Sequence, residues 1–366
     1  MTTDTNPHAV PFYSALHILQ NAAFITCLVM TLMLLVEYVN ATARARSLLL
    51  LKRSAFGQLL AAALLGMIPG CVGGFAVVAL FTRGVASFGA LVAAMVAAMG
   101  DEAFVMYASF PLKALALQGI LLALALAAGG AANLLWGKKP APAYLPASAA
   151  ANHHHHHHHY RYHCEKSASG GQGQASRRVT FRRVLLAVGL LLFMAATASG
   201  VLGHAHGHGG LLGERHINLL FLAVAAAALV VVVRADGQLL ERHLWRHVVK
   251  KHFVRILLWT LGSLVLVAVL NRYVEAQAWV RGNLLYMYAA AMLIGLVPAS
   301  GPHLVFVLLF AQGNLPFSVL LANTIMQDGH AGIPLLANSR RSFIRMKAAK
   351  AAIAAVAAAC GMIFGF

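Results

Sequence analysis

Long runs of apolar residues alternate with short polar stretches along nearly the whole chain. Each run is close to the roughly 20 residues that a helix needs to cross the hydrocarbon core of a bilayer. The pattern therefore predicts an all-α polytopic membrane protein, with the lipid bilayer as its first partner. We expect about ten hydrophobic segments, at residues 15–38, 56–81, 86–110, 114–136, 184–203, 217–233, 253–270, 284–311, 315–337 and 346–366.

One polar stretch, at 137–183, is much longer than the others. It carries seven consecutive histidines, His153 to His159, followed by His163 and a linker rich in Gly, Ser and Gln. Because it has no apolar periodicity, we expect it to be disordered. Imidazole is a common metal ligand, so the loop could gather divalent metal. A disordered loop holds no fixed coordination and is not expected to be the transport site.

This loop separates two halves that resemble each other. A shift of 229 residues, without gaps, aligns three glycines, a proline and two phenylalanines of the first half with the same residues in the second. The aligned pairs are Gly66 with Gly295, Pro69 with Pro298, Phe81 with Phe310, Gly84 with Gly313, Phe88 with Phe317 and Gly100 with Gly329. We therefore divide the chain into a first transmembrane repeat at 1–136, the His-rich loop at 137–183, two inserted transmembrane helices at 184–233 and a second transmembrane repeat at 234–366.

The distribution of charged residues indicates how the segments are oriented in the membrane. Only 10% of residues are charged, whereas soluble domains carry about 25%. The net charge of +18 would suggest nucleic acid in a soluble protein, but in a membrane protein it indicates basic cytoplasmic loops, so we expect no nucleic-acid partner. If all ten segments span, the 28 Lys and Arg divide 13 to 15 between the two sides, which shows no bias.

A second arrangement divides the basic residues unequally. If 86–110 and 315–337 are re-entrant hairpins and the N terminus is outside, 23 basic residues are cytoplasmic and five are external. The positive-inside rule favours that arrangement. It also places the His-rich loop in the cytoplasm and turns the two repeats upside down relative to each other. Inverted repeats with broken or re-entrant helices are a common plan of secondary transporters.

Acidic residues at the middle of the two proposed hairpins are the strongest candidates for function. Asp101 and Glu102 directly follow Gly100, and Asp328 and His330 flank the glycine at the equivalent repeat position. A charge at the centre of a bilayer costs roughly 2.5–3.5 kcal/mol on insertion scales, so such residues are usually buried and functional. Glycine permits the backbone to turn at these points. We expect both motifs to meet at one site near the membrane midplane.

Other polar residues extend this candidate site. Asn323 lies four residues before Gln327 and seven before His330, so it would share a helix face with one or both of them. His303 lies among helix-breaking prolines, and Glu37 ends the first apolar segment. Carboxylate, amide and imidazole together favour Mn²⁺, Fe²⁺, Co²⁺, Ni²⁺ or Zn²⁺ over Cu⁺. The ion would be a transported substrate, so we expect no resident cofactor and no catalytic residue.

Several of these strings resemble a known family. Residues 298–303 (Pro-Ala-Ser-Gly-Pro-His), 327–337 (Gln-Asp-Gly-His-Ala-Gly-Ile-Pro-Leu-Leu-Ala), 100–102 (Gly-Asp-Glu) and the pair 37–38 are similar to segments of the ten-helix heavy-metal exporters. These are bacterial inner-membrane proteins labelled arsenic-permease-like or manganese transporters. The resemblance implies metal efflux across the bacterial inner membrane. The first-half counterpart of the histidine motif, around Cys71, lacks the histidine.

Three other functions stay open. An arsenic oxyanion or organoarsenical permease predicts basic or thiol groups at the midplane, and only Cys71 lies near. An intramembrane enzyme acting on a lipid phosphate or peptide predicts an HExxH motif or an arginine within a hairpin, and the sequence has neither. A metal sensor or scaffold would need only the His-rich loop. We favour a secondary exporter of a divalent cation, manganese first, coupled to protons because metal ligands must be deprotonated. This interpretation predicts that the protein is not an enzyme.

Overall fold

A computed structural model describes residues 9–42, 54–70, 72–137, 172–199, 214–237, 240–273 and 276–365. Within these ranges the chain is helical and contains no β-strand. The histidine run, His163 and Cys71 lie outside the described residues. The helices before the second repeat are α1 (Ala9–Thr42), α2 (Ala55–Gly66), α3 (Val72–Thr82), α4 (Phe88–Ala97), α5 (Glu102–Ser109), α6 (Pro111–Trp136), α7 (Gln172–Ala198) and α8 (Glu214–Arg234).

The second repeat begins with a π-helical stretch and contains two short 3₁₀ turns. Its elements are the π-helix Leu240–Val249, α9 (Lys250–Tyr273), α10 (Ala276–Gly282), α11 (Leu284–Gly295), the 3₁₀ turn Gly301–His303, α12 (Leu304–Ala311), α13 (Phe317–Met326), the 3₁₀ turn Gly329–Ala331, α14 (Gly332–Asn338) and α15 (Arg340–Phe364).

Helix α7 corrects one prediction. It begins at Gln172, so residues 172–183 are helical and are not part of a disordered loop. Arg182, on this added part of the helix, forms an ion pair with Glu241 of the π-helix. The same arginine lies over the ring of Trp245. These contacts give the polar start of α7 a folded partner that its own sequence does not reveal.

Within the described ranges, five helices are long and apolar enough to cross a membrane. Many large apolar side chains on these helices are exposed, as expected for a polytopic protein that contacts lipid. The spans are Leu16–Tyr38, Pro111–Trp136, Phe181–Ala198, His252–Leu270 and Arg340–Phe364. In contrast, every residue of the short helix α4 is buried, and α4 lies at the centre of the first repeat.

The helix bounds of the two halves follow the shift of 229 residues. Residues 55–66 of α2 become 284–295, the bounds of α11, and residues 88–97 of α4 become 317–326, the bounds of α13. The aligned glycines share their conformation as well. Gly84 and Gly313 have φ of 71° and 77°, and Gly100 and Gly329 have φ of 70° and 54°. Because L side chains avoid this region, glycine is required at all four turns.

Segment 86–110 is a broken helix and not a hairpin, so that prediction is wrong. The backbone N–H of Gly89, near the start of α4, donates to Oδ1 of Asn133 near the end of α6 (3.2 Å). Tyr107 of α5 donates from its hydroxyl to Oε1 of Gln118, near the start of α6 (2.5 Å). These two α6 residues lie about 22 Å apart along the helix axis. Helices α4 and α5 therefore follow one another along α6.

The segment 315–337 is arranged in the same way, which corrects the second hairpin. The ammonium of Lys347 contacts the carbonyl of Met326 at the end of α13 (2.9 Å), while Ser318 at its start packs against Gly361 near the end of α15. Beyond the break, Gly332 of α14 packs against Phe343 near the start of α15. The backbone turns at the glycine, but the chain keeps its direction along α15.

The hairpins are instead the preceding segments, α2–α3 and α11–α12. Gln58, near the start of α2, donates to the carbonyl of Val85 just before α4 (3.1 Å), and Gly66 at the end of α2 packs on Ala94. Helix α2 thus runs parallel to α4, and α3 must return to reach its start. Hydrogen bonding between Tyr288 and Ser318 (2.7 Å) places the start of α11 at the start of α13 in the same manner.

Candidate functional site

The two broken helices meet at their breaks. The side-chain amide of Gln327 donates to the carbonyl of Ala98 (3.0 Å), and these two residues occupy the same repeat position. The side-chain oxygen Oε1 of Gln327 accepts from the backbone N–H of Gly329 (2.9 Å). On the other side, Gly70 at the tip of the α2–α3 hairpin donates to the carbonyl of Gly100 (3.0 Å). Gln327, predicted as a metal ligand, therefore bridges the two repeats.

Asp328 lies beside this contact and pairs with two buried lysines. Its Oδ1 is 2.6 Å from Nζ of Lys350, and its Oδ2 is 2.6 Å from Nζ of Lys347. Both lysines belong to α15, and they are 6% (Lys347) and 0% (Lys350) exposed. The aspartate that the sequence predicts as a metal ligand thus has an ammonium group on each oxygen.

Sequence reasoning missed these lysines because it counted them among the cytoplasmic charges. A signal was present. Lys347 and Lys350 are three residues apart and so share one helix face. They also lie inside the predicted apolar segment 346–366, where a charge is expected to be buried and paired.

His303 and Asn323 form a second buried pair. Nδ1 of His303 is 3.2 Å from Oδ1 of Asn323, and the Asn323 amide donates to the carbonyl of Ala291 (2.9 Å). The amide orientation makes Oδ1 an acceptor, so in the neutral ring Nδ1 carries the hydrogen and Nε2 has a lone pair. Nε2 of His303 is buried and has no hydrogen-bond partner among the described residues. The backbone carbonyl of Asn323 also accepts from the N–H of Gln327 (3.0 Å), next to the lysine–aspartate cluster.

A cavity of about 40 Å³ lies between α1, α5, α9 and the start of α12. Three of the predicted site residues line it, namely Asp101, Glu102 and His330. The same cavity is lined by polar or aromatic residues that the sequence did not single out: His252, Arg255, Trp259, Thr260 and Ser300. A signal for part of this set exists, because His252, Arg255 and Trp259 recur at helical spacing on α9.

Glu102 is the most unusual group in this cavity. It is 4% exposed, and neither of its carboxylate oxygens has a hydrogen-bond partner in the described part of the chain. The hydroxyls of Ser300 and Thr260, which face the same cavity, are also buried without a partner there. Buried polar atoms are nearly always hydrogen-bonded. Several buried oxygens without a hydrogen-bond partner around one cavity therefore indicate a site for a polar or charged ligand.

The eight predicted ligands do not form one cluster. Among the described residues, no three His, Cys, Asp or Glu side chains lie close enough together to hold a metal ion. Glu37 is buried at the far end of α1 and is not among the residues that line the cavity. The structure separates the remaining seven into the cavity group, the His303–Asn323 pair and the Gln327–Asp328 contact between the repeats.

A comparison with family models identifies the class. The family described as "Putative, 10TM heavy-metal exporter" matches residues 14–366. The chain belongs to this family. The match covers both repeats and confirms the resemblance noted in the sequence. No curated protein and no solved structure matches the chain. Membership in this heavy-metal exporter family indicates a multi-pass membrane transporter.

Proposed function

We propose that this heavy-metal exporter is a secondary transporter of a divalent cation, manganese first, and that it works across the bacterial inner membrane in exchange for protons. The observation that carries the proposal is the carboxylate of Glu102. It is buried in a cavity and neither oxygen is hydrogen-bonded among the described residues. A buried ionised carboxylate without a partner is costly, so it calls for a cation or a proton.

The arrangement of the half-helices supports two inverted repeats. Helix α4 packs against the N-terminal half of α15, where Met346 joins its apolar cluster and Lys350 bonds the Met95 carbonyl. Helix α13 packs along the C-terminal half, up to Gly361. Two half-helices that end at the same point from opposite directions are the expected product of inverted repeats.

The donor set suits a hard or borderline divalent cation. Carboxylate, hydroxyl and imidazole line the cavity, and none of the described residues that line it carries a thiol. Because no three ligands converge among the described residues, the ion would keep part of its water shell or bind after the helices move closer together. Glu102 must be deprotonated to bind metal, so a proton and the ion compete for it.

The cavity extends toward the side that the basic loops assign to the cytoplasm. Its α9 lining runs from Thr260 to His252, about 12 Å along the axis toward the N-terminal end of the helix. That end follows a stretch with six basic residues between 234 and 255. Loading from the cytoplasm is the direction that an exporter requires.

The alternative substrate, an arsenic oxyanion, would need basic groups near the midplane. The structure places two buried lysines there, but these lysines are not free to bind an anion. Each of the buried lysines already contacts three protein oxygens, and one of these is a carboxylate oxygen. An anion would have to displace Asp328 to reach them. The cavity itself is lined by two carboxylates against one arginine, which favours a cation.

Glu102→Gln tests the proposal, with Glu37→Gln as the matched control. Both residues are buried glutamates, but only Glu102 lines the cavity. In proteoliposomes loaded with Mn²⁺, Zn²⁺, Co²⁺ or Ni²⁺ in turn, we expect Glu102→Gln to reduce transport at least about tenfold and Glu37→Gln to retain it. Wild-type transport by Glu102→Gln, or unchanged cellular content of all four metals in a deletion strain, would contradict the proposal.

A further inference from the structure

The two lysine ammonium groups are coordinated as a bound cation would be. Nζ of Lys350 contacts the carbonyls of Met95 (2.7 Å) and Gln327 (2.6 Å) and one oxygen of Asp328. Nζ of Lys347 contacts the carbonyls of Gly295 (2.8 Å) and Met326 (2.9 Å) and the other oxygen of Asp328. An ammonium group has three N–H donors. Lys350 has a hydrogen-bond acceptor for each of them, whereas Lys347 donates to two carbonyls and meets Oδ2 of Asp328 as an ion pair without a hydrogen bond.

These carbonyl oxygens come from the ends of interrupted helices. Met95 belongs to the last turn of α4, Met326 to α13, and Gly295 to α11, while Gln327 lies in the break itself. The last carbonyls of a helix have no partner within it and carry partial negative charge. In transporters with discontinuous helices, such ends coordinate the coupling ions.

We propose that this cluster is a monovalent-cation site that the protein fills with its own lysines. The ammonium groups occupy the place of free sodium or potassium ions between the broken helices. It follows that the protein needs neither ion for its fold or for its transport cycle, and that removing the Lys350 side chain opens a site for a free monovalent cation. The inference goes beyond the proposed function, because neither lysine lines the cavity that holds Glu102.

Lys350 is the more informative of the two lysines. Its acceptors lie in both repeats, since Met95 belongs to the first and Gln327 and Asp328 to the second. The three acceptors of Lys347 all belong to the second repeat. Lys350 therefore joins the two repeats. Lys347→Ala is the matched control, because it removes a buried lysine of the same cluster but no contact between the repeats.

The test measures thermal unfolding of the purified full-length protein in choline chloride, NaCl, KCl and ammonium chloride at equal ionic strength. We expect the Tm of the wild-type protein to be the same in all four salts. In choline chloride, Lys350→Ala should have a lower Tm than the wild-type protein. In at least one of the salts of a small cation, its Tm should rise by about 5 °C or more over the value in choline, when the cation is present at about a hundred times its Kd for the variant. Lys350→Met, whose apolar side chain fills the same space, should not respond.

Two results would overturn the inference: a wild-type Tm or wild-type metal transport that depends on sodium or potassium, or a folded Lys350→Ala protein that responds to none of the three cations. If Lys350→Ala cannot be isolated, the alkali-ion independence of the wild-type protein decides the question. These Tm measurements require no transport, so they stand whether or not Glu102 binds the exported metal.

Discussion

Replacing Asp328 with Asn tests whether the buried cluster is charged. The substitution keeps the shape of the side chain but removes the negative charge that both ammonium groups contact at 2.6 Å. The cluster holds two positive charges and one negative charge, so the variant raises its net charge from +1 to +2. Removing one partner of a buried ion pair costs about 3–5 kcal/mol.

Because Asp328 serves two lysines, we expect Asp328→Asn to lose stability near the upper end of that range. Such a loss corresponds to a drop in Tm on the order of 10 °C. The double variant Asp328→Asn/Lys347→Met returns the net charge to +1, and we expect it to recover part of the loss. Asp236→Asn, which changes an exposed acid at the end of α8, should leave the Tm unchanged.

The four tryptophans of the chain allow the Tm to be followed by intrinsic fluorescence of the detergent-solubilised protein. A charged cluster would be contradicted if Asp328→Asn unfolds within about 2 °C of the wild-type protein. It would also be contradicted if the double variant is less stable than the single one, because relief of repulsion between two buried ammonium groups must then be absent. Either result would mean that the cluster is not charged as the contacts indicate.

Other predictions follow from the cavity and from the helix contacts. Glu102→Gln should leave the Tm unchanged or higher while it strongly reduces export, because neither oxygen of this buried carboxyl is hydrogen-bonded in the described part of the chain and the fold therefore loses no contact; a lower Tm would count against this. Gly89→Leu should prevent folding, since a side chain there would collide with α6, whereas Gly119→Ala, which faces open space, should be tolerated in an expression and gel-filtration assay. Phe110→Ala removes the ring that packs edge-on against Phe310 at 4.9 Å, and we expect a loss of about 1–3 kcal/mol in a Tm comparison with Phe56→Ala, an exposed phenylalanine.

The positions of the helix breaks could be predicted from the sequence, because a glycine has a specific backbone role at each break. Gly100 and Gly329 adopt positive φ, which few other residues tolerate, so their aligned spacing reported a real turn in each repeat. The partners of the residues around those turns could not be predicted. Lys350 meets Met95 across 255 residues of sequence, and no local pattern encodes so distant a contact.

Counting charges could not have placed the hairpins correctly. With the N terminus outside, moving the first re-entrant segment from 86–110 to 55–82 transfers only Arg83 to the cytoplasmic side. Moving the second from 315–337 to 284–311 transfers nothing, because residues 312–316 carry no basic side chain. The division therefore changes only from 23 and 5 to 24 and 4, and a difference of one residue is too small for the rule to distinguish the two arrangements. Only the contacts along α6 and α15 separate them, and both arrangements leave the repeats inverted.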